Sequence, residues 1–289
     1  MDLTTTLIFA AAGILSGLAA RVAFLNMPDR WLLDYDETEA PKGFAQMRAF
    51  PFIYQGLLFT LLSMLLYARI PTVSVGGWQI ASAMIAVPIL LLILVADWKT
   101  RIIPDQLTIF LIVPGLLGII GRLKAGEPLL KAAGQALLAA LIAGGALLLI
   151  GLLGQFIMKR EAMGMGDVKM IAAAAFLTGL ANLPSLVLLS FLTAALIAVP
   201  LMVRRMIRSA RSAHQNNPDA TQSTSDETVI EHSVSNPSET LEIETPELDS
   251  EEDTAIAFGP FIAISALLLI LFHSQIGQLA SAYWSLFLR

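Results

Sequence analysis

The stretch Val95-Ala96-Asp97-Trp98-Lys99-Thr100-Arg101-Ile102-Ile103-Pro104-Asp105 closes one apolar run, residues 77–96, and opens another, residues 103–121. A short polar turn between two such runs reads as the connection between two membrane-crossing helices, because about 20 helical residues cover the ~30 Å of bilayer hydrocarbon. The same window, moved outward, finds eight candidate helices near residues 5–26, 50–69, 77–96, 103–121, 129–157, 168–182, 184–203 and 255–274. The expected fold class is therefore all-α, a polytopic membrane protein with about eight transmembrane helices. Composition agrees: 56% of the 289 residues are hydrophobic, 14% are charged, and the mean hydropathy is +0.72. Asn182-Leu183-Pro184 reads as a tight turn separating the sixth run from the seventh. The fifth run is long, and its Gly144-Gly145, Gly151 and Gly154 permit close helix contact. No Lys or Arg precedes the first run, which is read as a retained span rather than a cleaved signal.

Charge divides the chain further. Residues 212–254 hold 12 of the 23 acidic residues and no Lys or Arg, so the remainder, with 18 basic and 11 acidic residues, carries +7. That segment is rich in Ser, Thr, Asn, Pro and Glu and has too little apolar surface to offset the entropy of ordering. The expected organisation is a membrane core at 1–203, an acidic, mostly disordered cytoplasmic loop at 204–254, and a last helix with its C-terminal segment at 255–289. The basic stretch Arg204-Arg205-Met206-Ile207-Arg208 is suited to anionic headgroups. Connections at 27–49, 97–102, 158–169 and 204–254 carry twelve Lys and Arg, against five on the opposite side. Basic loops stay in the cytoplasm, so both termini are placed outside, with Asp97 and Asp167 at the cytoplasmic face.

The chemistry narrows by exclusion. The absence of cysteine removes disulfides, thiol nucleophiles and cysteine-ligated metals. Two of the three histidines, His214 and His232, fall in the loop region, and no HExxH or P-loop spacing occurs. Gly13-Ile14-Leu15-Ser16-Gly17 has the outline of a serine site, but its nearest base, His273, comes with no signature. Ser16 and Gly17 are therefore read as packing residues.

What remains is Asp97 and the Asp167 of Gly164-Met165-Gly166-Asp167-Val168-Lys169. Ionisable side chains beside apolar spans cost at least ~2.5 kcal/mol on insertion scales, which makes them functional candidates. Two adjacent carboxylates can share one proton, so that one accepts a proton from water while the other donates to a carbonyl. Neither metal nor cofactor is required. Gly164 and Gly166 let the backbone turn and a peptide approach. Plainer readings stand beside these. Asp167 also suits a helix N-terminus, and Asp97 an ion pair with Lys99 or Arg101. Pro104 and Asp105 read as the first turn of a helix. Lys169 either balances local charge or meets headgroups.

These segments resemble a known family, the type IV prepilin peptidases, which are membrane aspartyl proteases of the GxGD kind. Three stretches carry the resemblance: Asp97 with Ile103-Pro104-Asp105-Gln106-Leu107-Thr108, then Gly164 through Met170, then Ala257-Phe258-Gly259-Pro260-Phe261. The resemblance implies that Asp97 and Asp167 are the catalytic pair. It also implies that Gly164, Gly166, Lys169, Pro104, Asp105, Gly259 and Pro260 shape the site or meet substrate. The implied partners are a prepilin or pseudopilin with a basic leader and the lipid bilayer, without nucleic acid. Bifunctional members also methylate the new N-terminus with S-adenosylmethionine and carry two CxxC pairs between their first helices. The corresponding Asn26–Phe50 region has no cysteine, so the expectation is peptidase alone. The alternatives are a bifunctional peptidase and N-methyltransferase, or, from another class, an ion-coupled transporter.

Overall fold

The computed structural model describes residues 2–33, 43–73, 76–159, 164–215 and 258–287. Among them every regular element is a helix. The principal ones are α1 (Leu3–Leu25), α2 (Phe44–Arg48), α3 (Leu57–Val73), α4 (Gly77–Thr100), α5 (Asp105–Phe110) and α6 (Ile112–Lys124). They continue with α7 (Leu129–Met158), α8 (Met165–Thr178), α9 (Leu183–Gln215) and α10 (Gly259–Phe287). An all-α, polytopic membrane protein is what the chain forms.

Among the described residues, six stretches are long and apolar enough to cross a membrane: Leu3–Leu25, Phe44–Val73, Gly77–Thr100, Asp105–Lys124, Leu129–Ile157 and Leu180–Arg204. The expected count of eight is not matched by length. The 14-residue α8 rises only about 21 Å, and the apolar part of α10, Gly259–His273, is also short. Near the end of that part, Phe272 leaves helical geometry at φ −135°, ψ 19°. The anticipated turn before Pro184 forms around Gly179, at φ 80°, and a 3₁₀ turn at Leu180–Asn182.

Two compact units divide the chain, Met1–Ala195 with Ala257–Arg289, and Leu196–Ile256. In the second, the described residues are helical to Gln215, so the basic stretch at 204–208 is helix rather than loop. Arg and Ala are good helix formers, and nothing in that stretch signals a stop. The acidic segment from 216 onward lies outside the described residues, as does the 34–42 part of the first connection.

In the first unit, α4 is the central helix; Ala86, Leu90 and Ile93 on it are fully buried. Small residues let α1 approach α3 closely. A Cβ at Gly13 would lie 2.7 Å from Met64 Cα, and one at Gly17 would lie 2.9 Å from Thr60 Cα. Ser63 Oγ donates to the Gly13 carbonyl at 2.8 Å. Gly17 therefore serves packing, as expected of a small residue at a membrane helix contact. Polar ties join the other helices: Tyr67 Oη donates to Met84 O at 2.6 Å, and Ser82 Oγ to Pro114 O at 2.7 Å. Arg48 closes the C-terminal end of α1, whose last carbonyls have no intrahelical partner. Its Nη2 donates to Leu25 O at 2.6 Å and also to Met27 O, while Nη1 pairs with Asp29.

Candidate active site

Helical spacing places both aspartates at the ends of buried stripes. On α4 the series Ala86, Leu90, Ile93, Asp97 follows one face, and Asp97 is only 2% exposed. On α8 the series Asp167, Ile171, Ala174 does the same; Ile171 and Ala174 are buried, and Asp167 is half-buried. A third stripe, Gly259, Ile262 or Ala263, and Ala266, runs down α10, all of it buried. The heads of these three stripes meet. Asp97 and Asp167 interact electrostatically, and the Gly259 backbone amide is within hydrogen-bonding reach of both carboxylates.

Asp97 Oδ2 is buried without a well-formed hydrogen bond among the described residues. Its neighbour is instead the bare Cα of Gly259, where an added Cβ would fall 2.1 Å from Oδ2. An unsatisfied buried carboxylate oxygen is unfavourable in a resting protein.

The plainer readings are met in part. Lys99 does not turn to Asp97; its Nζ donates to the Ala49 carbonyl and lies 5.3 Å from the Phe50 ring centroid. Asp167 occupies the first turn of α8, where the N-cap itself is Gly164. Gly164 sits at φ −69° and its Cβ would meet Asp167 Oδ2 at 3.9 Å, an ordinary contact. Gly166 is the tighter position, with its Cβ site 3.4 Å from Ile103 Cβ. Pro104 is buried at the N-cap of α5, and Asp105 is in that helix's first turn, as the sequence pattern suggests. Pro260 is buried in the first turn of α10, where its missing N–H costs nothing. Lys169 Nζ pairs with Asp105 Oδ2 at 2.7 Å.

Ile103 is the residue that sequence reasoning passed over. It lies between two glycines from separate motifs, against Gly166 and, at 2.5 Å from the Cβ site, against Gly259. Arg101 sets up this approach by taking a left-handed conformation, φ 56°, that ends α4 and turns the chain back. The only advance signal is that both contacts are with glycines, which a single sequence does not connect to Ile103. Among the described residues no group of three or more His, Asp or Glu gathers in a metal-binding arrangement.

Fold and site together define an α-helical membrane protein that brings two carboxylates from different helices to one backbone amide. Comparison with known proteins supports the family recognised from the motifs: residues 84–199 match the Type IV leader peptidase family, a segment that contains Asp97, Asp105 and Asp167. The chain is 31% identical over 163 residues to a prepilin leader peptidase/N-methyltransferase of Aeromonas salmonicida, covering 56% of this chain and 51% of the relative. It is 30% identical over 164 residues to the protein of the same name from Aeromonas hydrophila, covering 56% and 51%. It thus spans about half the length of these curated relatives. No solved structure matches it significantly.

Proposed function

We propose that this chain is a membrane aspartyl endopeptidase that removes the leader of a type IV prepilin or pseudopilin at the cytoplasmic face of the inner membrane. The observation that carries the reading is the convergence of Asp97 and Asp167 on the Gly259 amide. The twelve-to-five imbalance of basic residues supports the orientation, since Lys99, Arg101, Lys159 and Lys169 cluster in sequence around the two aspartates. The outward faces of α1 and α7, with Leu7, Ile8, Leu141, Leu149 and Phe156 exposed, suit contact with lipid.

The pair holds one proton between its two carboxyl groups. The ionised carboxylate takes a proton from a water molecule as the water oxygen bonds to the scissile carbonyl carbon. The other carboxylic acid donates its proton to the carbonyl oxygen. The resulting gem-diol then collapses: the C–N bond breaks, the leaving amine receives the proton taken from water, and the diol returns a proton to the second carboxylate. The Gly259 amide, within reach of both carboxylates, favours their ionised forms without adding charge.

The relatives' name couples leader cleavage to N-methyl transfer, so a second activity is the alternative reading; the cysteine-free connection at 26–50 favours peptidase alone. Purified protein in liposomes, incubated with a prepilin with and without S-adenosylmethionine, separates the two by the mass of the product's N-terminus. Cleavage that is lost in Asp97→Asn and in Asp167→Asn, with insertion intact, is the expected result. Full cleavage by either variant would refute it. Ion flux across the same liposomes without peptide hydrolysis would favour the transporter.

A further inference from the structure

The Lys169–Asp105 ion pair links the two motifs that carry the carboxylates, yet the proton transfers above do not use it. The partners are 64 residues apart in sequence and partly exposed, with Nζ and Oδ2 2.7 Å apart. Lys169 follows Asp167 by two positions, about 200° around α8, so it leaves that helix toward α5 rather than toward the carboxylate pair. Asp105 is the first residue of α5 and is joined to the end of α4 only by the turn at 101–104. That turn is held at two points. Ile103 is its apolar anchor, seated against Gly166 and Gly259. Asp105 is its polar anchor, tied to Lys169.

Such an arrangement constrains a relative position. Asp97 is on the α4 side of the turn and Asp167 is on α8, so any slip of α8 along the turn changes the carboxylate separation directly. A partly exposed ion pair contributes little to overall stability, and a strut of this kind acts through register instead. We propose, resting on the peptidase reading above, that Asp105 and Lys169 are positioning residues whose pairing sets the register of Asp167 against Asp97.

The full-length chain in proteoliposomes tests this with a prepilin substrate. Asp105→Ala and Lys169→Ala are each expected to lower kcat roughly 10- to 100-fold, the scale of an ångström-level misplacement, with KM and melting temperature unchanged. The charge-exchanged double variant Asp105→Lys/Lys169→Asp is expected to recover most of the lost kcat. Because the chain has no cysteine, Asp105→Cys/Lys169→Cys can be bridged selectively by a short bifunctional thiol reagent. The bridged protein is expected to regain kcat and the unbridged protein to lack it. Single variants with wild-type kcat, a cysteine pair that does not bridge, or a loss that neither exchange nor bridging restores would overturn the strut and leave the peptidase reading standing. A wild-type chain that cleaves no prepilin would remove both.

Discussion

Replacing Gly259 by alanine tests the geometry of the site most sharply, because the structure sets the size of the perturbation. The added Cβ would lie 2.1 Å from Asp97 Oδ2, 2.5 Å from Ile103 Cδ1 and 3.0 Å from Ile103 Cγ1. Non-bonded carbon atoms rest about 3.5 to 4.0 Å apart, so each close neighbour must retreat by roughly 1 Å or more. Ile103 can do so by changing rotamer. Asp97 cannot do so freely, since it is 2% exposed in the last turn of the central helix, and its carboxylate must turn away from Asp167 and from the shared amide. A misplacement of about 1 Å can cost ~100-fold in rate, or about 2.7 kcal/mol of barrier, while crowding a packed site typically costs ~1 to 3 kcal/mol in stability. Gly145→Ala is the control, because nothing lies within 4 Å of its Cβ site; helix propensity predicts a gain of up to about 1 kcal/mol there. Prepilin cleavage by mass spectrometry, alongside melting in detergent, reads both quantities. If Gly259→Ala cleaved within twofold of wild type, the claim that a missing Cβ makes room for the pair would be wrong.

Other outcomes follow from the same structure. Asp97→Asn and Asp167→Asn are each expected to lower the cleavage rate by at least ~100-fold, the usual contribution of a positioned acid or base, with unchanged membrane insertion by protease protection. The pH–rate profile of the wild type is expected to be bell-shaped and to belong to the pair as a unit; a flat profile from pH 4 to pH 9 would contradict proton sharing. Gly13→Leu is expected to separate α1 from α3 and lower the melting temperature, since even a Cβ there falls 2.7 Å from Met64 Cα; an unchanged melting temperature would contradict that packing. Arg48→Ala is expected to cost about 1 to 3 kcal/mol, by leaving the Leu25 and Met27 carbonyls without their donor, read in the same melting assay.

Apolar runs are strong signals, which is why α1, α4 and α7 fall close to their expected limits. Interruptions are weaker ones. The division between α5 and α6 at Leu111 is marked in the sequence only by Pro114, whose missing N–H leaves the Phe110 carbonyl without its helical partner, a signal masked by the continuous apolar run around it, and the continuation of α9 through Arg204 to Gln215 was hidden because charge suggested an end where helix propensity did not. Asp97 and Asp167 were readable as candidates because a carboxylate beside an apolar run is conspicuous. Their meeting was not readable, because it depends on three helix ends converging at Gly259 and on Ile103 fitting between Gly166 and Gly259. Those contacts span more than 60 and more than 150 residues of sequence, and periodicity carries no information across such distances.

The position of Gly259 at the start of the last helix also imposes an order on assembly. Both aspartates are synthesised before Gly259, so on the peptidase reading a nascent chain already carrying Asp97 and Asp167 would not yet be a protease. On the peptidase reading, competence would arrive only when α10 docks against α4 and α8. A chain ended before Gly259 but holding both carboxylates is expected to be inert, and supplying α10 as a separate polypeptide is expected to restore cleavage.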